Sequence, residues 1–278
     1  MEIKKRYYKK LIKEALKEDM KGGIDVTTDP IFTKKQKVVF KLLAKADGIL
    51  CGRDIFTEVF KTIDKKTKVE FYFDDGQPIT KGSVVARVYG DVKTILKGER
   101  TALNFISHLS GVSTKTSLFV KEAANRLKIL DTRKTIPGLR MLQKYAVFCG
   151  GGKNHRIGLY DMALIKDNHI DAAGSITNAV KKIRNKYKYK YNIEVETRNL
   201  TEVEEAIKCN VDRIMLDNMD IDTMKKAVSL INKRCEVEAS GNMTLERINE
   251  VAETGVDFIS FGELTHTVTV FDFSLKKE

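Results

Sequence analysis

Ile193-Glu194-Val195-Glu196, a helical apolar pattern over Leu200–Cys209, and then Arg213-Ile214-Met215-Leu216-Asp217 form one strand–helix–strand unit. Two strands joined through a crossover helix run parallel, and the crossover is right-handed. Working outward, the same alternation continues. Upstream lie the apolar runs Lys128-Ile129-Leu130 and Met162-Ala163-Leu164-Ile165; downstream come Ile221–Ile231, Cys235-Glu236-Val237-Glu238-Ala239, Leu245–Thr254 and Phe258-Ile259-Ser260-Phe261. A doubly wound sheet and a TIM-type barrel both fit six such strands. The residues at the strand ends favour the barrel: Asp131 and Arg133, Lys166, Glu196, Asp217, Ser240 and Gly262. In a (β/α) barrel these C-terminal ends gather at one mouth, where the chemistry sits. One polar residue after a strand is ordinary, whereas six consecutive ends bearing cations, acids and loop glycines point to a site.

Before about residue 110 the rhythm is different. Residues 8–19 place Leu11, Ile12, Ala15 and Leu16 at helical spacing, and the following Asp25-Val26-Thr27-Thr28-Asp29-Pro30 breaks it. Val38–Lys45, Val69–Phe73 and Ser83–Val88 read as strands, Arg53–Ile63 as a helix, and Val92–His108 and Ser113–Leu127 as two more helices. The expectation is an α/β protein with two domains. The first, over residues 1–110, is α+β, and the second, over 111–267, is a (β/α) barrel.

Composition limits the function. Of 278 residues, 42% are hydrophobic and 32% charged, which suits a packed core and argues against disorder. No run approaches ~18 consecutive apolar residues, so a membrane span is not expected, and no apolar signal segment follows the N-terminus. We therefore expect a cytoplasmic protein. The net charge of +12 invites a nucleic-acid reading. The densest run, Lys181-Lys182-Ile183-Arg184-Asn185-Lys186-Tyr187-Lys188-Tyr189-Lys190-Tyr191, interleaves tyrosines with cations as a single-strand binder would. Its spacing also suits an exposed helix end and its loop, the preferred reading, with no nucleic-acid partner expected. Salt-dependent gel shifts would separate the two. Cys51, Cys149, Cys209 and Cys235 form no CxxC pair, so free thiols are expected rather than a zinc site.

The chemistry-bearing residues follow the strands in an ordered series. Asp131-Thr132-Arg133-Lys134-Thr135-Ile136-Pro137-Gly138-Leu139-Arg140 follows the first barrel strand, and Gly150-Gly151-Gly152-Lys153-Asn154-His155-Arg156 precedes the second, which ends in Lys166. Arginine forks suit planar carboxylates, and several cations around one opening call for a ligand with several negative charges. Glu196 and Asp217 are either ion-pair partners or holders of Mg²⁺, which takes one or two carboxylates together with substrate phosphate oxygens. Ser240-Gly241-Asn242 and Phe261-Gly262-Glu263 resemble phosphate loops, placed where the last barrel strands deliver them. There is no GxGxxG after a strand, no GxxxxGKS/T, no HExxH and no GxSxG.

These residues carry a family resemblance. Glu99-Arg100-Thr101-Ala102-Leu103-Asn104, Asp131–Arg140, Lys144-Tyr145-Ala146-Val147, Gly150–Arg156, Gly158-Leu159-Tyr160-Asp161, Ile165-Lys166-Asp167-Asn168-His169, Met215-Leu216-Asp217-Asn218 and Leu264-Thr265-His266 resemble the quinolinate phosphoribosyltransferases. That resemblance extends over nearly the whole chain. It implies phosphoribosyl transfer from phosphoribosyl pyrophosphate to quinolinate with decarboxylation, giving nicotinate mononucleotide. It further implies an N-terminal α+β sandwich domain joined by the tail 268–278, a C-terminal incomplete (β/α) TIM-like barrel, Mg²⁺ and a homodimer or higher oligomer. Carried over, Arg100 (from a partner subunit), Thr132, Arg133, Lys134, His155, Arg156 and Lys166 would surround quinolinate. Glu196 and Asp217 would hold the ribose hydroxyls and Mg²⁺. Ser240, Gly241, Asn242, Phe261, Gly262, Glu263 and His266 would serve the phosphate. Two departures stand out: Asn242 where relatives have a second glycine, and Glu263 where they have a small neutral residue. The related molybdenum-locus family shares the fold, but the block at 165–169 favours the quinolinate enzymes. Nicotinate phosphoribosyltransferases act on a monocarboxylate, for which fewer cations would suffice.

Overall fold

The computed structural model describes residues 3–278. The chain opens with α1 (Lys5–Asp19), which turns Tyr8, Ile12 and Leu16 inward at the four-residue spacing of one helix face. A single turn, α2 (Thr28–Ile31), follows, its start held by Asp25 Oδ1 accepting from the Thr27 and Thr28 amides at 2.9 and 2.8 Å. Then come β1 (Lys37–Ala44), β2 (Gly48–Ile49), α3 (Arg53–Ile63), β3 (Lys68–Phe71), β4 (Pro78–Ile79), β5 (Val84–Asp91) and the long α4 (Val92–Ala123). In β1, Val38, Phe40, Leu42 and Ala44 are buried and their neighbours are not, the two-residue period of a sheet with one covered face.

The regular part of the chain runs β6 (Lys128–Leu130), α5 (Arg140–Cys149), β7 (Ala163–Ile165), α6 (Asp167–Ala173), α7 (Ile176–Tyr187), β8 (Ile193–Thr197), α8 (Leu200–Lys208), β9 (Arg213–Asp217), α9 (Ile221–Ile231), β10 (Glu236–Ser240), α10 (Ile248–Ala252), β11 (Phe258–Ser260), α11 (Glu263–His266) and β12 (Phe273–Lys277). Six strands form one sheet in the order β6-β11-β10-β9-β8-β7, all pairs parallel. This is chain order taken around a ring, left open between the first and second strands. On the open side of β6 the backbone at Lys153 forms a parallel bridge with Leu130. Its N–H reaches Ile129 O at 2.8 Å and its carbonyl accepts from Asp131 N at 3.2 Å. The triple-glycine loop therefore lies against the unpaired edge of β6.

Two compact units result. The first takes the chain up to Ser117, then Ile136–Gly151 and Leu264–Glu278; the second takes Leu118–Thr135 and Gly152–Glu263. The sequence suggested a break near residue 110, but the division falls inside α4. In the first unit β12 pairs antiparallel with β1, β1 with β5, and β5 with β3, so the tail does join this unit, as a fourth strand. The expected pair of helices over 92–127 is one helix of 32 residues. Ser110 and Gly111, between the two expected helices, are interior packing residues. Ser110 Oγ accepts from Cys51 N at 3.0 Å, and a Cβ on Gly111 would lie 2.3 Å from Thr269 O. The 181–191 run is the end of α7 and its loop. Its tyrosines are occupied by the run's own cations, with Arg184 4.7 Å from the Tyr189 ring and Lys190 5.2 Å from that of Tyr191. No helix among the described residues is long and apolar enough to cross a membrane.

Candidate active site

In the second unit Asp131, the residue after β6, is fully buried and organises the loop beside it. Its Oδ1 accepts from the His155 amide at 2.8 Å and its Oδ2 from Asn154 Nδ2 at 2.6 Å. Asp131 thus positions the loop bearing His155 and Arg156. Thr132 Oγ1 accepts from Lys134 N at 3.0 Å, and Arg133 O from Thr135 N at 2.9 Å. These two bonds fold 132–135 into a turn that leaves Arg133 half-buried and Lys134 exposed.

Two of the expected cations, Arg133 and Arg156, lie near one another. Burial and the neighbouring Arg133 guanidinium push the Arg156 pKa below its usual value, while Glu194 and Asp161 oppose the shift. Arg156 holds one partner, Met162 O, at 3.3 Å. Arg133 Nε is buried and finds no acceptor among the described residues. A desolvated donor beside a second guanidinium is costly unless an anion completes it. Lys166, at the end of β7, pairs with Glu196 on β8, so one lysine and one of the predicted carboxylates meet across adjacent strands.

Asp217 ends β9 and accepts from Asn218 Nδ2 at 2.8 Å. The loop after β10 is locked to the same asparagine: Asn218 N donates to Ser240 O at 2.9 Å and Asn242 Nδ2 to Asn218 Oδ1 at 3.0 Å. Gly241 has φ +85°, and a Cβ there would lie 2.3 Å from Asn218 Oδ1. Asn242 has φ 49°, a left-handed conformation that asparagine tolerates better than other non-glycine residues. Asparagine therefore suits this backbone path. Gly262 and Glu263 are half-buried, Glu263 opening α11. Phe261 needs correction as a phosphate residue. Its ring is buried edge-on against Phe119 at 4.8 Å, and its amide is spent on Leu130 O at 3.0 Å.

The expected list omits three residues inside the ring. Glu194, Glu238 and Arg213 sit on the same strand faces as Glu196, Ser240 and Asp217, at intervals of two or four residues. That period was the available signal, masked because each lies within an apolar run rather than at its end. His155 Nδ1 accepts from the Arg156 amide at 2.7 Å, so the neutral ring carries its proton on Nε2. Nε2 lies 3.0 Å from Glu194 Oε2 and 3.5 Å from Glu238 Oε2. Arg213 Nη1 reaches Glu238 at 3.1 Å. Burial raises both carboxyls, Glu194 to about 7 and Glu238 to about 8, the latter also repelled by Glu194. These groups form a polar floor under His155 and Arg156.

Two predicted site residues fall in the first unit. Arg100, exposed on α4, lines a cavity of about 380 Å³ with Glu18, Asp19, Asn104 and His108. His266 is exposed, its Nδ1 2.7 Å from Thr267 Oγ1.

Residues 25–110 match the family model of the quinolinate phosphoribosyl transferase N-terminal domain, and 112–276 that of the C-terminal domain. The chain is 43% identical to the probable nicotinate-nucleotide pyrophosphorylase (carboxylating) of Bacillus subtilis, covering 96% of this chain and 92% of that one. It is 44% identical to the chloroplastic nicotinate-nucleotide pyrophosphorylase of Oryza sativa, covering 96% and 77%. Among solved structures, NadC from Streptococcus pyogenes superposes with a TM-score of 0.96 at 37% identity, over 100% of this chain and 99% of that one. With both domain models matched in order and close relatives spanning almost its full length, the chain belongs to the quinolinate phosphoribosyltransferase family.

Proposed function

We propose that this chain transfers the phosphoribosyl group of phosphoribosyl pyrophosphate to quinolinate with decarboxylation, releasing pyrophosphate and CO₂ and forming nicotinate mononucleotide for de novo NAD synthesis. The observation that carries the reading is the Arg133–Arg156 pair, two guanidiniums close enough for one to depress the other's pKa, with the Arg133 Nε donor left open. A pyridine dicarboxylate supplies the two planar anions that such forks bind bidentately. Lys166, tethered to Glu196, adds a point charge, and Thr132, Lys134 and His155 complete the wall.

Glu196 and Asp217 offer the hard oxygen donors that Mg²⁺ takes beside phosphate oxygens, so the residues present fit it. Bound there with the substrate, the ion would neutralise the leaving pyrophosphate. The same carboxylates would orient the ribose hydroxyls, and Ser240, Gly241, Asn242 and Gly262 would receive the 5-phosphate. The ring nitrogen attacks the anomeric carbon as pyrophosphate departs. The nitrogen becomes cationic and stabilises the carbanion left when the 2-carboxylate leaves as CO₂. The arginines then need only fix orientation, and no dedicated decarboxylating base is required. A homodimer in which Arg100 of one copy reaches quinolinate in the other, located in the cytoplasm, completes the reading.

Calorimetric titration tests the pocket. Quinolinate should bind and nicotinate, lacking one carboxylate, should bind at least ~10-fold more weakly, about 1.4 kcal/mol for a lost charge-assisted pair. Equal affinities would overturn the dicarboxylate assignment.

A further inference from the structure

The first unit contains a cluster outside the candidate active site. Cys51, Asp75 and Cys149, distant in sequence, bring Sγ, a carboxylate oxygen and Sγ within 4.8 Å of one another. Asp75 is already committed. Its Oδ1 accepts from the Gly52 and Arg53 amides at 2.9 and 3.2 Å, and its Oδ2 from Tyr145 Oη at 2.9 Å. A metal ion would have to displace these bonds, whereas the two sulfurs already lie within hydrogen-bonding reach of each other.

We propose that Cys51 and Cys149 are an oxidisable thiol pair, which a small peroxide converts to an intrachain disulfide. Two features make the pair asymmetric. Cys149, half-buried at the end of α5, is held below the usual thiol range by hydrogen bonds with Cys51 and Tyr145. Cys51 is fully buried, pushed well above that range by burial, and its backbone is fixed through Ser110. Cys149 is thus the more readily ionised of the two sulfurs and Cys51 the resolving thiol. A cavity of about 210 Å³, lined by Lys4, Lys5, Tyr8, Asp75 and Tyr145, reaches the groups flanking Cys149 and admits a molecule the size of hydrogen peroxide.

The chemistry balances. The Cys149 thiolate attacks one peroxide oxygen, the O–O bond breaks, and the leaving hydroxide takes a proton to become water, giving a sulfenic acid. The Cys51 sulfur attacks that sulfenic sulfur and the S–S bond forms. The Cys51 proton passes by way of Asp75, whose carboxyl is raised by burial, to the departing hydroxide, releasing a second water. Peroxide is reduced by two electrons and the two thiols are oxidised by two. Cys209 and Cys235 provide internal controls: Cys209 Sγ contacts Thr177 Oγ1 at 3.6 Å, and burial raises Cys235 to about 11.

The full-length protein would be treated with a few equivalents of hydrogen peroxide at neutral pH and mapped without reduction. The expected product is about 2 Da lighter, joins the Cys51 and Cys149 peptides, retains free thiols at Cys209 and Cys235, and reverts with dithiothreitol. Cys51→Ser should stop at a dimedone-reactive sulfenic acid on Cys149, and Cys149→Ser should form neither product. Unchanged thiols at both positions in the wild-type protein, or Cys149 driven to sulfinic acid without a crosslink, would overturn the proposal.

Discussion

Asn242 and Glu238 show how single residues depart from what a sequence pattern conveys. Asn242, where the family resemblance implies a glycine, has φ 49°, a left-handed conformation that asparagine accommodates. Asn242→Ala should cost about 1 kcal/mol in urea unfolding, because alanine combines the left-handed penalty with loss of the bond to Asn218. Asn242→Gly should cost clearly less, and equal losses would remove the backbone argument. Glu238 was hidden in an apolar run, and only the ring closed by neighbouring strands reveals it facing His155. Burial and the neighbouring Glu194 push its carboxyl from the ordinary 4.5 up to about 8, so between those values the folded chain holds a proton that the unfolded chain releases. Its contribution to stability is full at acid pH, falls as pH rises through that window, and levels off above about 8. Melting temperatures from pH 5 to 8 should therefore fall more steeply for the wild type than for Glu238→Gln, which holds a neutral isostere throughout. Parallel curves would contradict the assignment. Glycine substitution and buried acids are both poorly legible in one sequence, since each depends on a backbone angle or a facing strand.

Most elements were legible because their periodicity is strong. α9 spans the expected Ile221–Ile231 and α3 the expected Arg53–Ile63. α4 carries Ser110-Gly111 between the two expected helices, and both residue types weaken a helix locally. Tertiary packing overrides that local signal, since the serine bonds to Cys51 and the glycine admits the backbone at Thr269. Gly111→Ala gains up to ~1 kcal/mol of helix propensity, yet its Cβ would lie 2.3 Å from a carbonyl oxygen. The net effect should be a destabilisation of about 1–3 kcal/mol, the usual range for overpacking, read from urea midpoints. A neutral or stabilising result would show that the tail does not confine α4. β12 was legible only as a tail belonging with the first domain. Its pairing with β1 joins residues more than two hundred positions apart, from Phe40 with Lys277 to Ala44 with Phe273, and no local pattern encodes such a partner.

At the scale of the molecule, the strand–helix alternation implied parallel strands, and the strand-end residues selected a ring over an open doubly wound sheet. The observed order β6-β11-β10-β9-β8-β7 is that ring with one seam open. Its consequence is chemical: Arg133, Arg156, Lys166, Glu196 and Asp217, scattered over some eighty positions, come from successive strand ends and their loops. The division inside α4 was not legible, because a continuous helix shows no composition shift where it changes unit. In the proposed reaction the Arg133–Arg156 opening recognises a dicarboxylate whose ribosylation drives its own decarboxylation. The direct measurement supplies quinolinate labelled in its 2-carboxylate, phosphoribosyl pyrophosphate and Mg²⁺, and follows labelled CO₂ and nicotinate mononucleotide together. The expected result is equal amounts of the two products from the wild-type protein and, for a folded Arg133→Ala, a loss of kcat/KM of at least ~100-fold, about 2.7 kcal/mol. Absence of the mononucleotide with the wild type, or an undiminished rate in the variant, would contradict it.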